Sequence, residues 1–290
     1  MKLTACAKIN LTLEVLGKRA DGYHEIVSVL QNIGLADTLY IEPAEELSLH
    51  CNVPSLESDD NLVLKGARLL REVTGYDGGA LIRLTKGTPV ASGLGAGSSD
   101  AVATLMGLNK LWELQLSKEE LLDLSLKLGS DTAFFFYGGT ALAEGRGDRV
   151  TPAPLVPGTW LVLLIPAIEP IPNKTAQLYS RLNASHFTSG EYANNFMERL
   201  KQKKMVNNTL LFNVFEQVAF DFFPQLNRYC SRFLAAGAES VHLAGAGPTL
   251  FTLISDRSCG ENLLNNLKEE SLEAYLIPAT ETSVIFNEDE

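Results

Sequence analysis

The sequence lacks the cysteine patterns that staple or metallate small folds. Its 4 cysteines, Cys6, Cys51, Cys230 and Cys259, stand far apart in 290 residues, with no C-x-x-C pair and no histidine nearby at ligand spacing. Neither a zinc site nor a disulfide framework is suggested, and reduced thiols of a cytoplasm fit better. It also lacks an excess of positive charge: 24 Lys and Arg stand against 35 Asp and Glu, a net charge of −11, with a pI near 4.9. A broad footprint for nucleic acid or anionic membrane needs clustered Lys and Arg, so neither partner is expected. A small anionic ligand, held by a helix N-terminus or single lysines, stays open. Long apolar runs are missing too. The longest, around Trp160 to Ile165, is far too short to span a bilayer, and Lys8 and Asn10 interrupt the N-terminus where a signal peptide needs an apolar core. A soluble cytoplasmic protein is expected.

What is present is a globular composition, 46% hydrophobic and 20% charged, long enough for one large domain or two smaller ones sharing a cleft. Ile9, Leu11, Leu13 and Val15 alternate with Lys8, Asn10, Thr12 and Glu14, the period of a half-buried strand with Lys8 and Asn10 on its polar face. Asp21-Gly22 predicts a turn presenting Tyr23 and His24. A helix follows from Asp60 or Asn61 to a stop at Gly75, then a strand in "GALIRLTKG". A second helix is expected over 98–114, with Ser98, Ser99 and Asp100 as cap candidates. Ser117 and Glu120 form a capping box for a third helix running to Gly129, and an apolar strand is expected after Asp131. Pro152, Pro154 and Pro157 crowd together, which predicts domains of 1–153 and 154–290. Beyond them come a buried strand in "WLVLLIP", a helix in "NKTAQLYSRL", and a polar, unpatterned stretch over 185–208. Amphipathic helices in "LLFNVFEQVAFDFFPQL" and "LNRYCSRFLAAGA" precede a strand, glycine turn and strand in "SVHLAGAGPTLFTLI".

The stretch "PVASGLGAGSSDAVA", Pro89 to Ala103, places three glycines before a helix start. The Walker spacing fails because Ser98 rather than lysine follows Gly97, and the Rossmann G-x-G-x-x-G fails because the spacing is G-x-G-x-G. Protein-kinase signatures are absent as well. A glycine turn opening onto a helix suits triphosphate, since free N–H groups and the positive end of the helix dipole converge on the anion. Its own residues leave a plain strand-to-helix turn equally open.

This stretch resembles the central motif of the GHMP kinases (galactokinase, homoserine, mevalonate and phosphomevalonate kinases). Three further stretches, "AKINLTLEVLGKRADGYHE", "LGSDTAFFFYGGTALAEGRGD" and "LAGAGPT", lie in family order across residues 7 to 249. They are most similar to the branch that phosphorylates 4-diphosphocytidyl-2-C-methyl-D-erythritol in the non-mevalonate isoprenoid pathway. The resemblance implies an α+β fold, with an N-terminal domain like domain 2 of ribosomal protein S5 and a ferredoxin-like C-terminal domain. It implies ATP and Mg²⁺ as cofactors, small-molecule partners only, and a monomer or weak homodimer.

The resemblance also implies residue roles. Asp131 would accept the proton of the substrate's hydroxyl, with Lys8 as its partner and Asn10 on the methylerythritol part. Tyr23 would stack on cytosine and His24 hydrogen-bond its polar edge, with Thr175 and Tyr179 closing over it. Pro89, Gly93, Leu94, Gly95, Ala96, Gly97, Ser98 and Ser99 would hold ATP, with Ser99 near Mg²⁺. Asn61, Leu62 and Lys86 match positions around adenine. Gly245, Ala246, Gly247 and Thr249 would form a third glycine loop near the reacting phosphates. Read without the resemblance, Asp131 is a cap after Gly129-Ser130, Lys8 a solvated lysine, Tyr179 an amphipathic-helix residue, and Asn61 and Lys86 a helix cap and a strand end.

The family's pattern is not matched everywhere. Thr132-Ala133 replace Val-Pro, Ala246 replaces a common serine or threonine, and Pro248 removes an N–H donor. Asn213-Val214 stand for Asn-Asp, so no role is assigned there. Two rivals are weighed: another GHMP kinase such as homoserine kinase, opposed by "DGYHE" and "GTALAEGRGD", and a non-catalytic nucleotide or RNA binder, opposed by the net charge of −11.

Overall fold

The computed structural model describes residues 1–156 and 158–287. Pro157, one of the three prolines at the expected boundary, lies outside them. In chain order, the long strands β1 (Lys2–Lys18) and β2 (His24–Ala44) lead to β3 (Leu47–Cys51), α1 (Leu62–Thr74), β4 (Gly79–Thr85) and α2 (Ala96–Leu111). Then come α3 (Lys118–Ser125), α4 (Thr132–Phe135), β5 (Thr140–Gly145) and β6 (Arg149–Ala153). The second half runs through β7 (Trp160–Leu164), α5 (Lys174–Arg181), α6 (Glu191–Lys201), β8 (Phe212–Asn213), α7 (Glu216–Phe222), α8 (Leu226–Ala235) and β9 (His242–Leu243). It ends with β10 (Leu250–Ile254), α9 (Arg257–Glu269), β11 (Ala274–Pro278) and β12 (Val284–Asn287).

Strands β12-β1-β2-β4-β3 form one sheet, extended by β5 on β2, β6 on β5 and β8 parallel to β1. Strands β11-β7-β10-β9 form a second sheet, antiparallel throughout. Helices α1 to α4 cover the first sheet over a core including Leu39, Ile41, Ile82, Leu105 and Phe134. A second core gathers Leu164, Phe215, Phe233 and Leu263. A third joins the halves: Ile9, Leu11 and Val29 of the long strands pack with Leu161, Leu163, Phe196 and Phe251. Each such side chain removed from water is worth about 1.5–3 kcal/mol, so this seam holds the cleft walls in register. No described helix is long and apolar enough to cross a membrane.

The seam corrects the reading of β1 as half-buried. Every residue from Ala5 to Val15 is buried: the second half packs on Ile9, Leu11, Leu13 and Val15, while Lys8 and Asn10 are covered by Asp131, Gly95 and Gly245. Helix α2 begins at Ala96 with Gly95 as N-cap in the left-handed region, and none of Ser98, Ser99 and Asp100 caps it. Helix α3 ends at Ser125 rather than near Gly129, though its capping box forms as expected. The apolar run after Asp131 is a helical turn, not a strand; a short run buried on all sides carries no period that separates the two. Within the stretch read as unpatterned, α6 buries Ala193, Phe196, Met197 and Leu200, a helical spacing hidden among polar residues. Phe212 and Asn213, read as part of a helix, add a short strand to β1 instead.

Asp100 has a different task from capping. Lys86, just past β4, sends its ammonium to Asp100 of α2 at 2.7 Å and also to Asp37 of β2. The other oxygen of Asp37 accepts the N–H groups of Gly87 and Thr88, each at 2.8 Å. All three side chains are buried. Burial pushes the Asp100 carboxyl up to about 7 against the pull of Lys86, with the charge of Asp37 adding to the rise. Burial alone would lower Lys86, but the charges of Asp100 and Asp37 together raise it. The cluster clamps α2, and with it the loop before α2, onto the sheet. Lys86→Met leaves two buried carboxyls without a cation, and urea unfolding at pH 7 is expected to show a loss of about 3–5 kcal/mol. Lowering the pH to 5 should restore part of that loss, because the buried Asp100 carboxyl, already pushed up to about 7, is then neutral.

Candidate active site

A cleft of about 1210 Å³ opens along the seam between the halves. That exceeds the 300–1,000 Å³ typical for one small ligand, so there is room for two. At its base β1 is bulged: its register against β2 shifts between Cys6 and Lys8 and again between Asn10 and Thr12. Such bulges re-aim side chains. Lys8 is only 4% exposed. Its ammonium donates to Asn10 Oδ1 at 2.8 Å and lies 3.1 Å from Asp131 Oδ2. The amide of Asn10 is fixed in turn by Ser28 Oγ at 2.8 Å, whose hydroxyl donates to the carbonyl of Thr12.

Asp131 stands at the N-cap position of α4 yet makes no capping hydrogen bond. Its side chain, 45% exposed, turns to Lys8 and the cleft. The backbone of the glycine loop lies directly over this pair. The N–H of Lys8 donates to the carbonyl of Leu94 at 2.9 Å. A Cβ on Gly95 would stand 2.8 Å from Lys8 Cε, and one on Gly93 would overlap the carbonyl of Ala244, so only glycine lets the segments meet. The N–H groups of Ser98 and Ser99 both return to the carbonyl of Gly95, leaving those of Ala96 and Gly97, two residues that line the cleft, without intrahelical acceptors.

The remaining wall residues divide. Pro89, Leu94, Ala96, Gly97 and Ser98 line the cleft, but Ser99 is wholly buried with its hydroxyl unpartnered. Asn61 and Leu62 also line it, while Asn61 caps α1 by accepting the N–H of Val63 at 2.9 Å. Lys86 reaches the same wall with its ammonium committed to the two aspartates. Gly245 and Ala246 line the cleft; Gly247 and Thr249 lie behind them.

At the opposite end, Asp21 accepts the N–H of Tyr23 at 3.1 Å and shapes the turn. The Tyr23 ring is 54% exposed, with the Arg146 guanidinium 4.9 Å from its centroid. His24 stacks on Tyr179 at 4.8 Å and 16° between planes, and Tyr179 meets the Phe215 ring edge-on at 4.9 Å. Burial, then the charge of Lys18, lowers the His24 pKa; burial and the charge of Asp131 raise that of Tyr179. Thr175 lines the cleft from α5.

Several cleft residues were not singled out from the sequence. Arg146 sits inside the quoted "EGRGD", and Lys174 directly before Thr175, but neither motif says what it faces. Asn213, assigned no role, donates its amide to the carbonyls of Leu243 and Gly245, both at 2.8 Å, and so holds the third glycine loop.

The chain is similar to known proteins along nearly its whole length. The family description "GHMP kinases N terminal domain" matches residues 61–139, and "GHMP kinases C terminal" matches residues 194–272. A 4-diphosphocytidyl-2-C-methyl-D-erythritol kinase of Dehalococcoides mccartyi is 45% identical over 96% of this chain and 97% of its own. One from Symbiobacterium thermophilum is 41% identical over 96% and 99%. A crystal structure of 4-(cytidine 5'-diphospho)-2C-methyl-D-erythritol kinase superposes with a TM-score of 0.81 at 31% identity, covering 96% of this chain and 99% of that one. Homoserine kinase from Cytophaga hutchinsonii, with a TM-score of 0.76 at 16% identity over 98% and 96%, shares the fold. With both family halves matched and close relatives along nearly its whole length, the chain belongs to the GHMP kinase family.

Proposed function

We propose that the protein transfers the γ-phosphoryl group of ATP to the 2-hydroxyl of 4-diphosphocytidyl-2-C-methyl-D-erythritol, giving the 2-phosphate and ADP. The observation that carries this reading is the Lys8–Asp131 pair, 3.1 Å apart, standing in one cleft between a glycine phosphate loop and an aromatic pocket. Phosphoryl transfer asks little covalent chemistry of a protein and much alignment. Asp131 accepts the hydroxyl proton as the new O–P bond forms and the bond to ADP breaks. The buried ammonium of Lys8 stabilises the negative charge that develops on the attacking oxygen.

The free N–H groups at Ala96 and Gly97, under the positive end of α2, suit ATP phosphates. Among the described residues no group of three or more His, Cys, Asp or Glu could hold a metal. Ser98 and Asp131 are the cleft side-chain oxygens that would hold Mg²⁺, which would supply charge neutralisation. Ser99, the hydroxyl expected near the ion, is buried away from the cleft. At the other end, a neutral His24 offers one donor and one acceptor to a cytosine edge, braced by Tyr179, while Tyr23 offers a ring face. In this reading residues 1–153 bind ATP and 154–290 complete the cleft. A monomer or weak homodimer in the cytoplasm suffices, since one chain supplies every residue named.

Purified protein with Mg-ATP is expected to release ADP with the cytidyl substrate and not with homoserine, mevalonate or galactose; the reverse pattern overturns the assignment. Asp131→Asn is expected to lower kcat by about 10²–10⁴ with KM little changed, read in the same coupled assay. Tyr23→Ala loses a stacking face worth about 1–3 kcal/mol, so KM for the cytidyl substrate should rise about tenfold or more while KM for ATP stays put.

A further inference from the structure

One cation in the cleft serves none of these roles. Lys174 opens α5, and its ammonium donates to the carbonyl of Ala91, at 2.7 Å, and to that of Gly247. Those carbonyls belong to the segment entering the phosphate loop and to the third glycine loop, so one ammonium ties three segments together. Two residues beside it hold a left-handed backbone: Ala91 at φ 54° and Asn173 at φ 53°. A left-handed alanine costs roughly 1–2 kcal/mol and persists where neighbouring contacts over-determine it.

The charges around Lys174 are unbalanced. Lys8, on β1, repels it, and Asp131 is already paired with Lys8. Glu169, after β7, shares a small neighbouring cavity with Lys174 but forms no ion pair with it. The glycine loops, residues 89–97 and 243–249, carry no ionisable side chain. Burial first, and Lys8 second, push Lys174 down to about 8. An ammonium has three N–H donors, and two of these are placed. The site has a fixed donor to spare and no counter-ion.

We propose that Lys174 is an anion-binding residue of the cleft, whose third N–H meets a phosphate oxygen of the bound ligand while the other two hold the glycine loops together. This rests on the reading that both ligands carry phosphate; the oxygen belongs either to the adenine nucleotide or to the cytidine diphosphate moiety. A bound phosphate supplies the missing negative charge and favours the protonated amine, so binding near pH 8 draws a proton from solvent.

Isothermal titration at pH 8, in two buffers of different ionisation enthalpy, tests this with ADP and CDP as separate probes on wild type, Lys174→Met and Lys174→Arg. Wild type is expected to take up about half a proton with at least one probe, and that probe identifies the source of the phosphate. Lys174→Met should lose the uptake and bind the same probe about tenfold or more weakly. Lys174→Arg, charged at every accessible pH, should bind near wild-type strength without uptake. Uptake with neither probe, or uptake retained in either variant, overturns the proposal; if Lys174→Met does not fold, Lys174→Arg decides alone. None of these outcomes depends on which alcohol is phosphorylated, so failure here is distinct from failure of the substrate assignment.

Discussion

An ammonium ion withdrawn from water must be surrounded by oxygen, and Lys8 draws its oxygens from separate parts of the chain. Asn10 supplies one from the same strand, two residues on, and Asp131 another from the start of α4. The carbonyl of Leu94, bonded to the backbone N–H of Lys8, brings the glycine loop across the top. The ammonium itself gathers the Asn10 amide and the Asp131 carboxylate beneath that loop. A lysine so buried tolerates no crowding, which is why Gly95 must pass over it without a Cβ. The geometry that solvates Lys8 thus also places a carboxylate and a glycine loop against each other.

Two other lysines divide the remaining work. Lys86 is saturated by Asp37 and Asp100 and acts within the first half, pinning α2 to the sheet. Lys174 is held only by neutral carbonyls and acts between the halves, at the edge of the cleft. The difference lies in their partners. A cation paired with two buried carboxylates is a fixed structural part, whereas one left beside carbonyls and a second lysine keeps an unmet demand for negative charge.

Much of the fold was legible because local patterns coincide with tertiary need. Helix α1 caps at Asn61 and stops at Gly75 as its residues demand, and the capping box of Ser117 and Glu120 forms. The misreadings share one cause. Helix α6, the turn at α4 and the short strand β8 draw their state from what packs on them, and a window of sequence does not contain that partner. The same holds for Asp100, which reads as a helix cap and is instead a buried counter-ion to a lysine fourteen residues earlier.

The sequence by itself determined the family, through motifs whose residue types answer to chemistry: glycines for close approach, a lysine and an aspartate, and a Tyr-His turn. Only the tertiary structure decided which of those residues meet. Lys8 and Asp131 are 123 residues apart and become neighbours because Phe134 and Phe135 of α4 pack into the core that also takes Leu3 and Ala5 of β1, while a bulge re-aims Lys8. Whether Ser98 or Ser99 faces the cleft, and whether Lys174 or Lys86 has a donor to spare, depends on burial and partner distance. Those are properties of folded neighbours, and no spacing along the chain encodes them.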